Sequence, residues 1–211
     1  MIRDAAGGDP AARERFARVY RPVVTAYLTA RWRGVARPPE VDDAAQDVFV
    51  ECFRAGGLLE KADPDRVGGF RAFLLGAARN VARRHEARRR LPGPLPIDLP
   101  AEDTGPAEAF DRAWARALLR EAGRVQKQQA DTAGPAAVRR VRLLRMRFGD
   151  GLAIREIAVR WGEDAARLHH EYATAREEFR TALREVVAFH HPGGTDGAIE
   201  RACEELLGLL A

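Results

Sequence analysis

Apolar residues recur three and four positions apart along almost all of this 211-residue chain, and no stretch alternates apolar with polar as a half-buried strand does. That spacing commits the chain to helices joined through apolar stripes, so the expected fold class is all-α. A helix is predicted over Pro10–Arg33, with Phe16, Val19, Tyr20, Val23, Val24 and Tyr27 inward and a kink at Pro22. A second, over Val41–Arg54, carries the stripe Val41, Ala44, Ala45, Val48 and Cys52. Pro106–Gln129 uses Phe110, Trp114, Ala117, Leu118 and Val125, and Val138–Phe148 follows it. Arg37-Pro38-Pro39, Gly56-Gly57, Gly68-Gly69 and Gly134-Pro135 are the breaks. Leu91–Pro100 holds four prolines and is excluded from regular structure, which makes it a semi-rigid linker.

The helix expected over Phe70–Arg90 carries two kinds of surface. At about 100° per residue, Phe70, Phe73, Leu74, Ala77 and Val81 share one side. Arg79, Arg83 and Arg90 lie opposite, with Asn80 and Arg84 on the flanks. From Arg79 to Arg90 there are six arginines and one acid, Glu86. An ordinary solvated face mixes both signs, so the imbalance favours a surface that lies on a polyanion. The whole chain is only +4, but residues 1–90 carry +6, 91–135 carry −2, 136–190 carry +3 and 191–211 carry −3. Two basic blocks separated by an acidic spacer suit two modules touching nucleic acid. Only Lys61 and Lys127 are lysines. Arginine suits phosphate and base edges through its forked donors, although a GC-rich genome also raises arginine and alanine throughout a chain.

Residues 149–179 have helix-turn-helix spacing. Leu152, Ile157, Ala158 and Trp161 form the inner face of a short helix, Gly162 permits a sharp turn, and Asp164 caps the next helix. The buried seam of that helix is Leu168, Tyr172, Ala175, Phe179, Leu183 and Val186. A last acidic amphipathic helix, Ala198–Leu210, has Ile199, Cys203, Leu206, Leu207 and Leu210 on one stripe and is expected to fold back on the helix-turn-helix.

Other chemistry finds little support. Cys52 and Cys203 are far apart and fit no metal spacing, and Cys52 reads as a core thiol. No catalytic order of Ser, His and Asp, no Gly-rich phosphate loop and no metal motif occurs, so neither an enzyme nor a cofactor is expected. With no signal peptide and no long apolar run, a cytoplasmic protein without membrane insertion is expected.

Asp42-Asp43-Ala44-Ala45-Gln46-Asp47-Val48-Phe49, followed after a loop by Phe70-Arg71-Ala72-Phe73-Leu74 and Ala78-Arg79-Asn80-Val81-Ala82, resembles conserved region two of bacterial RNA polymerase sigma factors. The extracytoplasmic-function type, with only regions two and four, is the most similar. Ala6–Tyr20 is similar to that family's first helix, and Leu144–Phe179 to its region-four helix-turn-helix. The resemblance implies two small helical domains: a region-two bundle over 1–90 and a region-four domain over 106–190. The Pro-rich linker over 91–105 joins them, and 191–211 form a helical extension. It also implies a subunit that directs core RNA polymerase to promoters and aids their opening, with core polymerase and promoter DNA as partners and an anti-sigma factor as a candidate partner.

By that resemblance Asp43, Gln46, Asp47 and Val50 would dock on the clamp helices of the polymerase's largest subunit. The plainer reading of these residues is a capping box from Asp43 to Gln46 among solvated acids. The loop Leu58–Gly69 would capture a flipped base of the melted minus-ten strand; it has no aromatic residue before Phe70. Phe70, Arg79, Asn80, Arg83, Arg84 and Arg88 would contact minus-ten DNA. Phe73 stands where the family usually has Trp.

The second half departs further. Arg167-Leu168 replaces the family's usual Thr-Val, and His169, His170, Ala173 and Thr174 stand where basic or hydroxyl residues are typical. Glu163–Glu178 contains five acids and two bases. A recognition helix needs positive charge toward the groove, and each exposed Glu would oppose phosphate. Arg167, His169, His170 and Thr174 are the candidate minus-thirty-five contacts. The competing reading is a DNA-binding regulator or interaction module on a degenerate sigma scaffold, without initiation activity.

Overall fold

The computed structural model describes residues 2–34, 36, 38–61, 69–89, 105–191 and 193–209. These are all-helical, with no strand among them: α1 (Ile2–Ala6), α2 (Pro10–Arg31), α3 (Pro38–Phe53), α4 (Gly69–Arg89), α5 (Pro106–Ala133), α6 (Pro135–Phe148), α7 (Ile154–Trp161), α8 (Ala165–His190) and α9 (Asp196–Gly208). Most of the linker 91–105 and of the loop Leu58–Gly69 lies outside the described residues, as do Arg90 and Leu210. The chain divides into two compact units. The first takes in 1–117, 190–195 and 204–211; the second takes in 118–189 and 196–203.

Local chemistry accounts for the helix starts. The Asp9 side chain accepts from Ala12 N at 2.7 Å, satisfying an amide that the first turn leaves without a partner. Pro10, Pro38, Pro106 and Pro135 each open a helix, where the missing N–H costs nothing. Pro38 starts α3 five residues before Asp43, so Asp43 lies within the helix and not at its N-cap, and the plainer reading of these residues as a capping box does not hold. α2 continues through Pro22, which is exposed and so leaves the buried stripe intact.

In the first unit α2, α3 and α4 pack against one another. The predicted stripes of α2 and α3 are buried, together with Leu74, Ala77, Ala78, Val81 and Ala82 of α4. Phe16 is fully buried and meets Tyr20, Phe49, Phe53 and Phe70 edge-on, with centroids 4.7–6.0 Å away. The first turns of α5 supply Trp114, stacked on Tyr20 at 5.6 Å, and Phe110 beside it. His190 Nε2 and Tyr20 Oη share a 2.5 Å hydrogen bond in this buried cluster.

The second unit is centred on Leu143, Met146, Ile154, Ile157, Ala158 and Leu168, with Leu152, Trp161, Ala165 and Tyr172 packed against them. Gly162 ends α7 in the left-handed conformation at φ 67°, which a residue with a Cβ adopts only at a cost. Glu163 N then bonds Ala158 O at 3.0 Å, and Asp164 Oδ1 accepts from Arg167 N at 2.9 Å, capping α8 as expected. The remaining seam of α8 is buried at Ala175, Ala182, Leu183, Val186 and Val187. Along α9 the stripe residues Ile199, Cys203 and Leu206 are buried, whereas Leu207 is 52% exposed. Asp196 and Glu200 pair with Arg184, and Glu200 also with Arg180, so the start of α9 is tied to the later turns of α8.

Candidate nucleic-acid interface

α4 separates its apolar and basic residues as its periodicity predicts. Arg79 and Arg83 are exposed on the side away from the buried stripe, and Asn80, Arg84 and, in the last turns of the helix, Arg88 are exposed as well. Glu86, the one acid of this helix, is held chiefly by α2. Its two carboxylate oxygens accept from Arg31 Nε at 2.6 Å and Arg31 Nη2 at 2.9 Å, and Trp32 Nε1 adds a third bond at 2.9 Å. The Arg31 hydrogen bonds hold the Glu86 carboxyl below its ordinary range against the opposing effect of burial. The same pair raises Arg31. Glu86 is thereby paired with Arg31, and Arg83 acts on its charge as well.

Among the described residues, Arg79, Arg83 and Arg88 make no ion pair, whereas Arg84 bonds Glu51 of α3 at 3.0 Å. Phe70 sits apart from this row. It is half-buried, with its ring 5.1 Å from Tyr20, 5.7 Å from Phe16 and 5.6 Å from Phe73. Arg71 beside it bonds Asp111 at 3.1 Å.

On α3 the proposed docking residues form an exposed group: Asp43 and Gln46 face solvent, and Val50 is 56% exposed although apolar. Asp47 is only partly available, because its carboxylate hydrogen-bonds His85 Nε2 at 2.7 Å. Asp42 pairs at 3.4 Å with Arg21.

The helix-turn-helix changes most once its partners are in place. Arg139 of α6 grips the Glu163 carboxylate with both terminal nitrogens, at 2.6 Å through Nη1, and gives Nε to Glu171 at 3.0 Å. Arg140 bonds Glu178, at 2.9 Å through Nε. Arg139 keeps the Glu163 carboxyl below its ordinary range, chiefly by hydrogen bonding. Asp164 serves as a cap, and Glu177 faces Arg180 at 3.7 Å. The five acids expected to repel phosphate are therefore each engaged. Arg167, His169, His170 and Thr174 remain exposed on the first turns of α8, with the Thr174 hydroxyl donating to His170 O at 3.2 Å.

Sequence reasoning missed Arg139, Arg140, His85 and the inward role of Glu86. Their partners lie 24 to 55 positions away, and no local pattern marks such pairs. Among the described residues no group of His, Cys, Asp and Glu is arranged to hold a metal ion, and no helix is long and apolar enough to cross a membrane. No protein-family model matches the chain, and no curated protein matches it.

Proposed function

We propose that this chain is a promoter-specificity subunit of the sigma type, which binds core RNA polymerase through α3 and holds promoter DNA on α4 as it opens. The observation that carries the reading is the division of charge on α4: its single acid is tied to Arg31 and Trp32, while Arg79, Asn80, Arg83 and Arg88 are exposed. Guanidinium groups exposed along one rigid helix neutralise phosphates, and an amide among them bonds a base edge or a phosphate oxygen. The exposed Asp43, Gln46 and Val50 supply a mixed acidic and apolar docking surface. The start of α8, with Arg167, His169, His170 and Thr174, is a second surface for duplex DNA. In this reading the chain performs no catalytic step, and an anti-sigma factor is a candidate partner.

Run-off transcription with core polymerase on genomic promoter fragments tests it directly. Promoter-dependent transcripts that require the added chain support the proposal; transcripts identical to those of core polymerase alone would remove it. Copurification with core polymerase, abolished by Asp43→Lys with Asp47→Lys, tests the docking surface.

A second reading, a DNA-binding regulator or interaction module without initiation activity, is favoured by one observation. His85 already occupies the Asp47 carboxylate, which reduces the free acidic surface of α3. DNA binding without any core-polymerase binding would select it.

A further inference from the structure

We infer that Arg139 and Arg140 are positioning residues that fit an acidic helix-turn-helix for DNA, by holding Glu163, Glu171 and Glu178 against α6 and so leaving Arg167 exposed and only loosely paired, available to phosphate. The inference rests on the reading that α8 lies on duplex DNA.

At about 100° per residue, Glu171 and Glu178 fall on the same flank of α8 as Arg167 and Thr174. Residues four apart on a helix are neighbours, so Glu171 is the natural local partner of Arg167. That pair is long: Arg167 Nε stands 3.9 Å from Glu171 Oε1, at the edge of ion-pair range, and the Arg167 side chain is 76% exposed. The other Glu171 oxygen is held by Arg139 Nε at 3.0 Å.

One arginine serves two carboxylates here because guanidinium presents five N–H donors in a fixed plane. Nη1 and Nη2 of Arg139 take Glu163 while Nε takes Glu171. The Arg139 guanidinium also lies 4.6 Å from the Trp161 ring centre, which fixes its orientation. Arg140 repeats the arrangement for Glu178 one turn beyond Thr174. Released, these carboxylates would add negative charge beside the helix end that meets phosphate. Glu171 would also be free to close on Arg167.

The test uses the full chain and a fluorescein-labelled DNA duplex of random sequence, with anisotropy followed across a salt series. Arg139→Gln is expected to weaken binding about fivefold at low salt, the size of one surface ion-pair interaction. Adding Glu163→Gln and Glu171→Gln to that variant restores binding to within about twofold of the unaltered chain. Arg167→Ala costs less in the Arg139→Gln background than alone, because Glu171 has already captured Arg167.

A merely structural role for Arg139 predicts no rescue, since the triple variant lacks the clamp entirely. Binding that Arg139→Gln leaves unaltered, or a loss that the triple variant does not rescue, overturns the inference and leaves the reading of α8 intact. Binding that ignores Arg167→Ala and His170→Ala together overturns both. Should Arg139→Gln lower the melting midpoint below the assay temperature, Glu163→Gln with Glu171→Gln in the otherwise unaltered chain decides. Affinity unchanged within about twofold supports the inference, and a larger gain shows that those carboxylates already oppose phosphate and overturns it.

Discussion

Replacing Glu86 by Ala would take the acceptor from Arg31 Nε and Nη2 and from the Trp32 indole N–H at once, leaving Arg31 only its Nη1 bond to the Tyr27 hydroxyl. A buried donor left without a partner costs more than the hydrogen bond itself contributes. The expected loss is about 2–3 kcal/mol in urea unfolding of the chain. The effect also has a pH signature. The folded chain depresses the Glu86 carboxyl from its ordinary 4.5, so the stabilisation is complete above that value and fades as pH falls through the lower folded value. Glu86→Ala should therefore flatten the acid limb of the stability profile, while the neutral limb keeps its shape. A variant with an unchanged acid limb would show that other carboxylates govern it. Cys52 illustrates the opposite effect. It is 1% exposed, and burial pushes its thiol up to about 12, so it stays protonated at neutral pH. Thiol reagents are expected to modify it only as fast as the surrounding helices open.

For a whole element, the relevant quantity is the charge that a helix face presents. Arg79, Arg83 and Arg88 of α4 are exposed and make no ion pair among the described residues, while Arg84 is shared with Glu51. Each arginine that neutralises a phosphate contributes close to one unit to the salt dependence of binding. Alanine at Arg79, Arg83 and Arg84 together should flatten that dependence by about two to three units, with Arg84 contributing least. Single variants separate them: Arg83→Ala lowers the slope by about one, and Arg84→Ala by less. An unchanged slope in the triple variant would remove this face from the interface. Much of α4 was legible in advance, because a periodic apolar stripe and its opposite face follow from helix geometry alone. So were the Asp164 cap, the turn at Gly162 and the inner residues Ile157, Ala158 and Leu168, which depend on near neighbours. The start of α3 was misjudged by three residues, because Pro38 and Pro39 read as a break but instead occupy a first turn that needs no N–H.

Across the whole molecule, each compact unit draws on separated parts of the chain, and α9 contributes residues to both. Its first turns belong to the second unit, where Ile199 and Cys203 are buried and Asp196 and Glu200 pair with Arg184. Ending the chain at His191 would expose the α8 residues beneath them and leave Arg180 and Arg184 without these carboxylates. A lowered thermal midpoint is expected, by several degrees for a loss of about 2 kcal/mol. An unchanged midpoint would show that α9 contributes nothing to the fold.

The amino-acid sequence by itself determined the helices, their apolar stripes and the residues placed on the outer face of α4, because these depend on periodicity and on neighbours within a turn. Only the tertiary structure decided which charges remain available to a partner. Glu86 meets Arg31 across 55 positions, and Glu163 meets Arg139 across 24. Opposite charges so far apart in sequence find one another only when packed helices bring them together, and each such pair withdraws two charges from the surface. That withdrawal is why α4 exposes more basic than acidic groups despite Glu86.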